Sequence, residues 1–301
     1  AFAYKAFNET VSFISGWAAF GAFVSIIPWE AIQITDVLGY LIPGIKTGPI
    51  LYKVAGEPIY LITIIIGTVA SLLLFALNMR GLAAAASVQK ILCFILVGAA
   101  VIGAIASLIG GNADNWKPIY DVTDPTIYGN PADGLKQVSH NSMFGGMFAI
   151  LATSPFFLCG FENIPQTVED AGGSHKKVGF TVLLSIIMAC LFYALLLFCI
   201  GAAWPWQDFY LNTESPAAAN VFAKIFAGSA MGNVMYILLC AGALCGLLTT
   251  WNSFFMGTAN LMMALARTHM LPFALSKRSA KTGTPVNALI VCLVASIVGP
   301  F

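Results

Sequence analysis

Glu162 stands in the stretch ATSPFFLCGFENIPQTVEDAGG, residues 152–173, where Pro155 and Pro165 bracket Gly160, Glu162 and Asn163. Proline removes a backbone donor and disfavours helical geometry in the residue before it, and glycine adds backbone freedom. Because the run around them is apolar, the spacing predicts a discontinuous helix. An apolar half covers about 143–156, a non-helical piece about 157–161, and a second half begins near Glu162. Non-helical backbone at membrane depth is tolerated only when buried in protein or lining a wet cavity, and its freed N–H and C=O groups can bind a charged solute. The alternative is a Pro-kinked packing helix with Glu162 near a surface.

Glu30 is the second acidic residue in apolar surroundings, beside Pro28 in IIPWEAIQITD. An unpaired charge at a helix centre in lipid costs about 2.5–3.5 kcal/mol on insertion scales. Glu30 reads either as a carboxylate that carries a proton or faces an amine, or as a structural partner to a polar group on a neighbouring helix; Asp36 reads as interfacial. Trp251 and Asn252 fall mid-span in CGLLTTWNSFF, away from the interface belts where tryptophan is usual. A core aromatic is the competing reading for Trp251.

These residues need membrane-spanning helices to position them. The chain is 59% hydrophobic and 9% charged, with a mean hydropathy of +0.86, against about 25% charged for a soluble domain. Apolar blocks of spanning length fall at about 13–42, 58–78, 87–110, 143–170 (with the break), 178–203 and 230–266, and a seventh starts near Pro285 and runs to Phe301. The fold class expected is therefore all-α: a polytopic helical bundle forming one transmembrane domain over 1–301. Alternating connections put Lys5, Arg80, Lys90, Lys176, Lys177, Arg267, Lys277, Arg278 and Lys281 on one side, and Lys46, Lys53, Lys117, Lys136 and Lys224 on the other. The positive-inside rule makes the first side cytoplasmic, the N-terminal stub included, in a plasma or inner membrane. Trp116, Tyr120, Trp204 and Trp206 suit interface anchors on the opposite side. GALCG (Gly242–Gly246) and GAAVIGAIA suit close helix packing. The seven cysteines read as small apolar packing residues, and the three histidines lie in polar connections, so neither a metal nor a cofactor is expected. A net charge of +1 offers nothing to nucleic acid.

Four stretches resemble the amino acid–polyamine–organocation permeases, almost end to end. They are AFAYKAFNETVSFISGW, NMRGLAAAASVQKIL, SPFFLCGFENIPQTVEDAGG and LMMALARTHMLPFALSKRSAKTGTPVNALI. The last two are specific in this order and spacing. The resemblance implies part of a five-plus-five inverted-repeat fold, helices three to nine of a longer chain, without the first helix that carries a Gly-rich substrate-binding segment. It implies a secondary transporter of amino acids or related small amines, coupled to protons or working by exchange, with a small-molecule substrate and the lipid bilayer as partners. Phe156 matches the aromatic gate of the sixth helix. Phe157, Leu158, Cys159 and Gly160 match the unwound segment whose carbonyls receive the substrate amine. Glu162 matches a coupling carboxylate, Trp251 an aromatic at the deep end of the pocket, and Ile27 and Ala31 substrate-facing positions of the third helix. Ala31 replaces a polar residue found in some arginine exchangers, which argues against arginine. Leu96 stands where many sodium-independent members carry a lysine that mimics an ion, and Glu30 beside Pro28 resembles a glutamate of one branch of uncharacterised or acidic-amino-acid permeases. A polyamine or ethanolamine permease remains open. A membrane enzyme or a channel is the alternative from another class, although no catalytic cluster shares a depth and no filter repeat is visible.

Overall fold

The computed structural model describes residues 2–54, 57–117, 143–161, 163–166, 175–205 and 216–301. Helix α1 is Phe2–Ala6 and α2 is Glu9–Leu41. The Asn8 side chain caps α2 by accepting from the Val11 N–H at 2.9 Å. At 1.5 Å per residue α2 is about 50 Å long, more than the ~30 Å hydrocarbon layer. A two-stranded antiparallel hairpin follows, β1 (Ile50–Val54) and β2 (Glu57–Tyr60), with Val54 opposite Glu57 and Ile50 opposite Tyr60. The expected second span started at 58; α3 is Leu61–Met79, because the β-forming Ile59 and Tyr60 pair with β1 first. Gly81, at φ +106°, turns the chain into α4 (Leu82–Gly110), five residues ahead of the expected start at 87. Then come a 3₁₀ turn at Ala113–Trp116, α5 (Met143–Phe157), α6 (Asn163–Gln166), α7 (His175–Ala203), α8 (Ala217–Lys224), α9 (Ala230–Arg267), a 3₁₀ turn at Phe273–Ser276, and α10 (Val286–Val298). Among the described residues, five stretches are long and apolar enough to cross a membrane: α2, α3, α4, Val178–Ala203 of α7, and α9.

The chain forms two compact units. The first holds residues 1–96, 162–179 and 241–301. Its core is the C-terminal half of α9, where Trp251, Phe254, Phe255, Ala259 and Met262 meet Phe23, Ile27, Ala31 and Ile34 of α2, Leu74 of α3, and Leu289 and Cys292 of α10. This half of α9 is buried on nearly all sides, and its apolar residues accordingly fall on every side instead of in one stripe. Small residues set the approaches. A methyl group on Gly67 of α3 would strike the Ala31 carbonyl oxygen of α2, and one on Gly299 would lie 2.6 Å from Pro28. Ser71 of α3 and Ser296 of α10 share a hydrogen bond of 2.7 Å. Gly246, in the GALCG motif, receives Leu96 of α4, so that motif serves helix packing.

The second unit holds residues 97–161 and 180–240. Its core joins Ala104 of α4, Cys199 and Ala203 of α7, Val221 and Phe222 of α8, and Met235 of α9. The end of α7 is tied down through its carbonyls, which the helix itself leaves without partners. Ala202 accepts from the Asn112 N–H (3.0 Å) and from the Asn115 side chain (2.8 Å), Phe198 accepts from the Trp116 indole (3.2 Å), and Ser107 donates to Cys199. Trp204 carries the Lys224 ammonium 4.4 Å above its ring. Trp116 and Trp204 thus sit at helix ends, the position interface anchors take.

The Gly67 contact generates a stability test. Gly67→Ala is expected to lower stability by about 1–3 kcal/mol through overpacking. Gly98→Ala, where a methyl group meets nothing within 4 Å, should be neutral or gain up to about 1 kcal/mol of helix propensity. Thermal unfolding of both variants in detergent checks the contrast.

Candidate functional site

The interrupted helix is built by local backbone chemistry. Helix α5 runs to Phe157, and the Leu158 N–H still reaches the Ser154 carbonyl at 3.2 Å. Residues 158–161 then turn, with Gly160 at φ +116°, a conformation open to glycine and strained for any side chain. Helical geometry resumes at Asn163 for one turn, with Pro165 inside that turn, where its missing N–H costs nothing. The sequence places the non-helical piece at 157–161 and the restart near Glu162; the last helical residue is Phe157 and the restart Asn163. Pro155 lies within α5 without ending it. Leu158 and Gly160 are half-buried and Cys159 is exposed. The side chains of Phe156 and Phe157, and the whole of Glu162, lie outside the described residues.

Within the first unit, α6 is seated on α9. Asn163 is buried against Gly257, where a methyl group would collide with the Asn163 carboxamide. Only glycine leaves room for that amide.

The same unit brings together three of the residues singled out from sequence. Ile27, Ala31 and Trp251 belong to one cluster and are 0%, 2% and 0% exposed. Glu30 lies on the buried stripe of α2, at spacing i, i+4, i+7 and i+11 through Phe23, Ile27, Glu30 and Ile34. Glu30 is 3% exposed and shares no ion pair or hydrogen bond with any described residue. Thr35 Oγ1, Thr258 Oγ1 and the Trp251 indole N–H are also buried, each without a hydrogen-bond partner among the described residues. Asp36, by contrast, is half-exposed at the end of α2 and pairs with Lys46 at 2.8 Å, the interfacial role its position suggests.

A chain of amides escaped the sequence reading except at Asn252. Asn78 of α3 donates to Asn252 of α9 at 2.9 Å, Asn252 donates to Gln89 of α4 at 2.8 Å, and Gln89 donates to Ser253 at 2.5 Å. Asn78 also bonds the Leu74 carbonyl at 2.9 Å. Polar side chains crossing between helices are the glue of a membrane bundle. Their signal in the sequence is faint: single amides at the ends of apolar runs, with nothing to say which meets which.

Long apolar helices, an interrupted one among them, and buried inter-helix amides define a polytopic α-helical membrane protein. The chain belongs to the amino acid permease family, whose model it matches over residues 1–300. It is similar to three proteins of Arabidopsis thaliana. Cationic amino acid transporter 1 is 28% identical over 151 residues, 50% of this chain and 24% of the relative. Cationic amino acid transporter 5 is 27% identical, covering 52% and 26%, and the vacuolar Cationic amino acid transporter 2 is 25% identical, covering 48% and 22%. The aligned part therefore spans about a quarter of the length of the curated relatives it matches.

Two variants test the site's framework. Asn252→Leu strands the buried Asn78 amide and should cost about 1–3 kcal/mol. Adding Asn78→Leu should cost less than the sum of the single changes, read from a double-mutant cycle of thermal unfolding.

Proposed function

We propose that the protein is a secondary active transporter of amino acids or related small amines, working by alternating access. The observation that carries this reading is the interruption of the helix between Phe157 and Asn163 in a chain of the amino acid permease family. Backbone that departs from helical bonding offers dipoles to a zwitterion without needing a charged side chain at each pole. In this reading the carbonyls of Phe157, Leu158, Cys159 and Gly160 receive the substrate amine, and Phe156 closes over it. By the same family resemblance, Ile27, Ala31 and Trp251 are proposed as substrate-facing positions. Glu162 and Glu30 serve coupling. A buried carboxyl without a partner is where an arriving cation, a proton or an ammonium, gains most, and Glu30 has none among the described residues. Leu96, packed on Gly246, does not supply the ion-mimicking cation of many sodium-independent members; proton symport or exchange is proposed on the buried carboxyl of Glu30.

The names of the Arabidopsis relatives point to amino acids with cationic side chains as the first substrates to try. The small apolar Ala31 argues against arginine among them. We further propose that the Lys- and Arg-rich connections face the cytoplasm and that the membrane is the cell membrane; one similar protein is vacuolar by name.

Uptake of labelled amino acids by the full-length protein in proteoliposomes tests the reading. Flux far above carrier turnover would indicate a channel, and absence of any flux with turnover of a substrate would indicate an enzyme. Glu30→Gln and Glu162→Gln should each flatten the response of uptake to an imposed proton gradient while leaving insertion intact; an unchanged pH profile would remove that residue from coupling. Phe156→Ala should raise KM about tenfold, the loss of roughly 1.5 kcal/mol of apolar contact. Unchanged affinity would show that the gate lies elsewhere.

A further inference from the structure

A pocket of about 180 Å³ opens on the first unit at the end of α9, lined by Met256, Asn260, Arg278, Thr282, Thr284 and, on its apolar side, Leu82, with the turn at Gly283 and Pro285 as its rim. None of the residues proposed for transport lines it. Its polar equipment is a guanidinium, a carboxamide and two hydroxyls, and it has no carboxylate. The Arg278 Nε–H lies 3.1 Å from the Met263 sulfur, so the stem of the guanidinium is anchored by a neutral group. Thr282 and Thr284 hydroxyls share a 2.7 Å hydrogen bond; each oxygen has capacity left for another partner. The turn that presents them is held by Gly283 N–H to Ser279 C=O at 2.9 Å and Ser279 N–H to Thr284 C=O at 2.8 Å. The two connections that meet here carry Arg80, Arg267, Lys277, Arg278 and Lys281, and neither residues 79–82 nor 267–285 contain an Asp or Glu. Pro285 on the rim is also the N-cap of α10, which no side chain caps, so the positive end of that helix adds to the same field.

We propose that this pocket binds a phosphate group. A planar guanidinium fork, with one hydroxyl of the threonine pair still free to donate, suits phosphate oxygens better than it suits any cation or apolar solute. The surrounding cations raise the local concentration of the anion. Two sources offer that chemistry at the rim of a membrane protein, the headgroup of an anionic phospholipid and a soluble phosphate.

The full-length protein, purified in detergent, is to be melted in potassium phosphate and in potassium chloride at matched ionic strength. It is also to be melted in nanodiscs of phosphatidylcholine alone and with phosphatidylglycerol. Phosphate or phosphatidylglycerol should raise Tm in wild type. Arg278→Gln should weaken the apparent affinity about tenfold or more, as expected for losing a charge-assisted bond. Thr282→Val, which removes one hydroxyl from a half-buried position, should weaken it less, and Lys281→Gln, outside the lining, should leave it within about twofold. Stabilisation by inorganic phosphate assigns the soluble source, and stabilisation confined to phosphatidylglycerol assigns the lipid. No stabilisation of wild type by either overturns the proposal. So does stabilisation that Lys281→Gln reduces as much as Arg278→Gln, which marks a diffuse basic surface. Should Arg278→Gln fail to fold, Thr282→Val set against Lys281→Gln decides between the same outcomes.

Discussion

Inside hydrocarbon every backbone N–H and C=O must find a partner, and each one left unmatched costs several kcal/mol. A continuous helix meets the demand within itself. Between Phe157 and Asn163 the helix is interrupted, and the surrounding structure answers to that. Proline alone does not cause the interruption. Pro28 lies inside α2 and Pro155 inside α5, and both helices run through them. What differs at the break is Gly160, whose positive φ reverses the path of the chain, followed by Asn163 and a proline placed where a first helical turn tolerates it. The restart is then fixed in place, since Asn163 fits only over the bare backbone of Gly257.

The same constraint explains how the first unit holds together. Lipid tails are as apolar as leucine, so the hydrophobic effect contributes little to joining one helix to another, and close packing and inter-helix hydrogen bonds must do so. Gly67 lets α3 reach the backbone of α2 at Ala31, the Ser71–Ser296 pair joins α3 to α10, and the Asn78–Asn252–Gln89 chain joins α3, α9 and α4. Glu30, a carboxyl on the packed face of α2, meets no partner among the described residues. A purely structural acid would be expected in an ion pair or hydrogen bond, as Asp36 is with Lys46.

The spanning helices were legible because length and hydropathy report directly on the solvent they cross. Boundaries were less so. The hairpin at 50–60 was missed because a short strand preceding an apolar helix looks like more of the helix, and α8 because eight residues carry too little periodicity. The break was readable from Gly160 and its prolines, since backbone conformation is a local property. The amide chain was not, because its members lie 163–174 residues apart and only the fold decides which meet. The meeting of Ile27, Ala31 and Trp251 was legible only through family resemblance; periodicity places each on a helix face and is silent about the facing helix.

That meeting has a mechanical consequence. With Ile27 and Trp251 fully enclosed and the Ala31 carbonyl covered by Gly67, no solute reaches this wall while the cluster stays packed. Exposing either large side chain forfeits about 1.5–3 kcal/mol of burial, which a bound substrate must return through its own contacts. Under the proposed transport role, such a wall favours solutes whose apolar part can replace the protein's own. Apolar packing in the first unit therefore sets the cost of opening this wall, and under the proposed transport role the contacts a substrate makes must offset it.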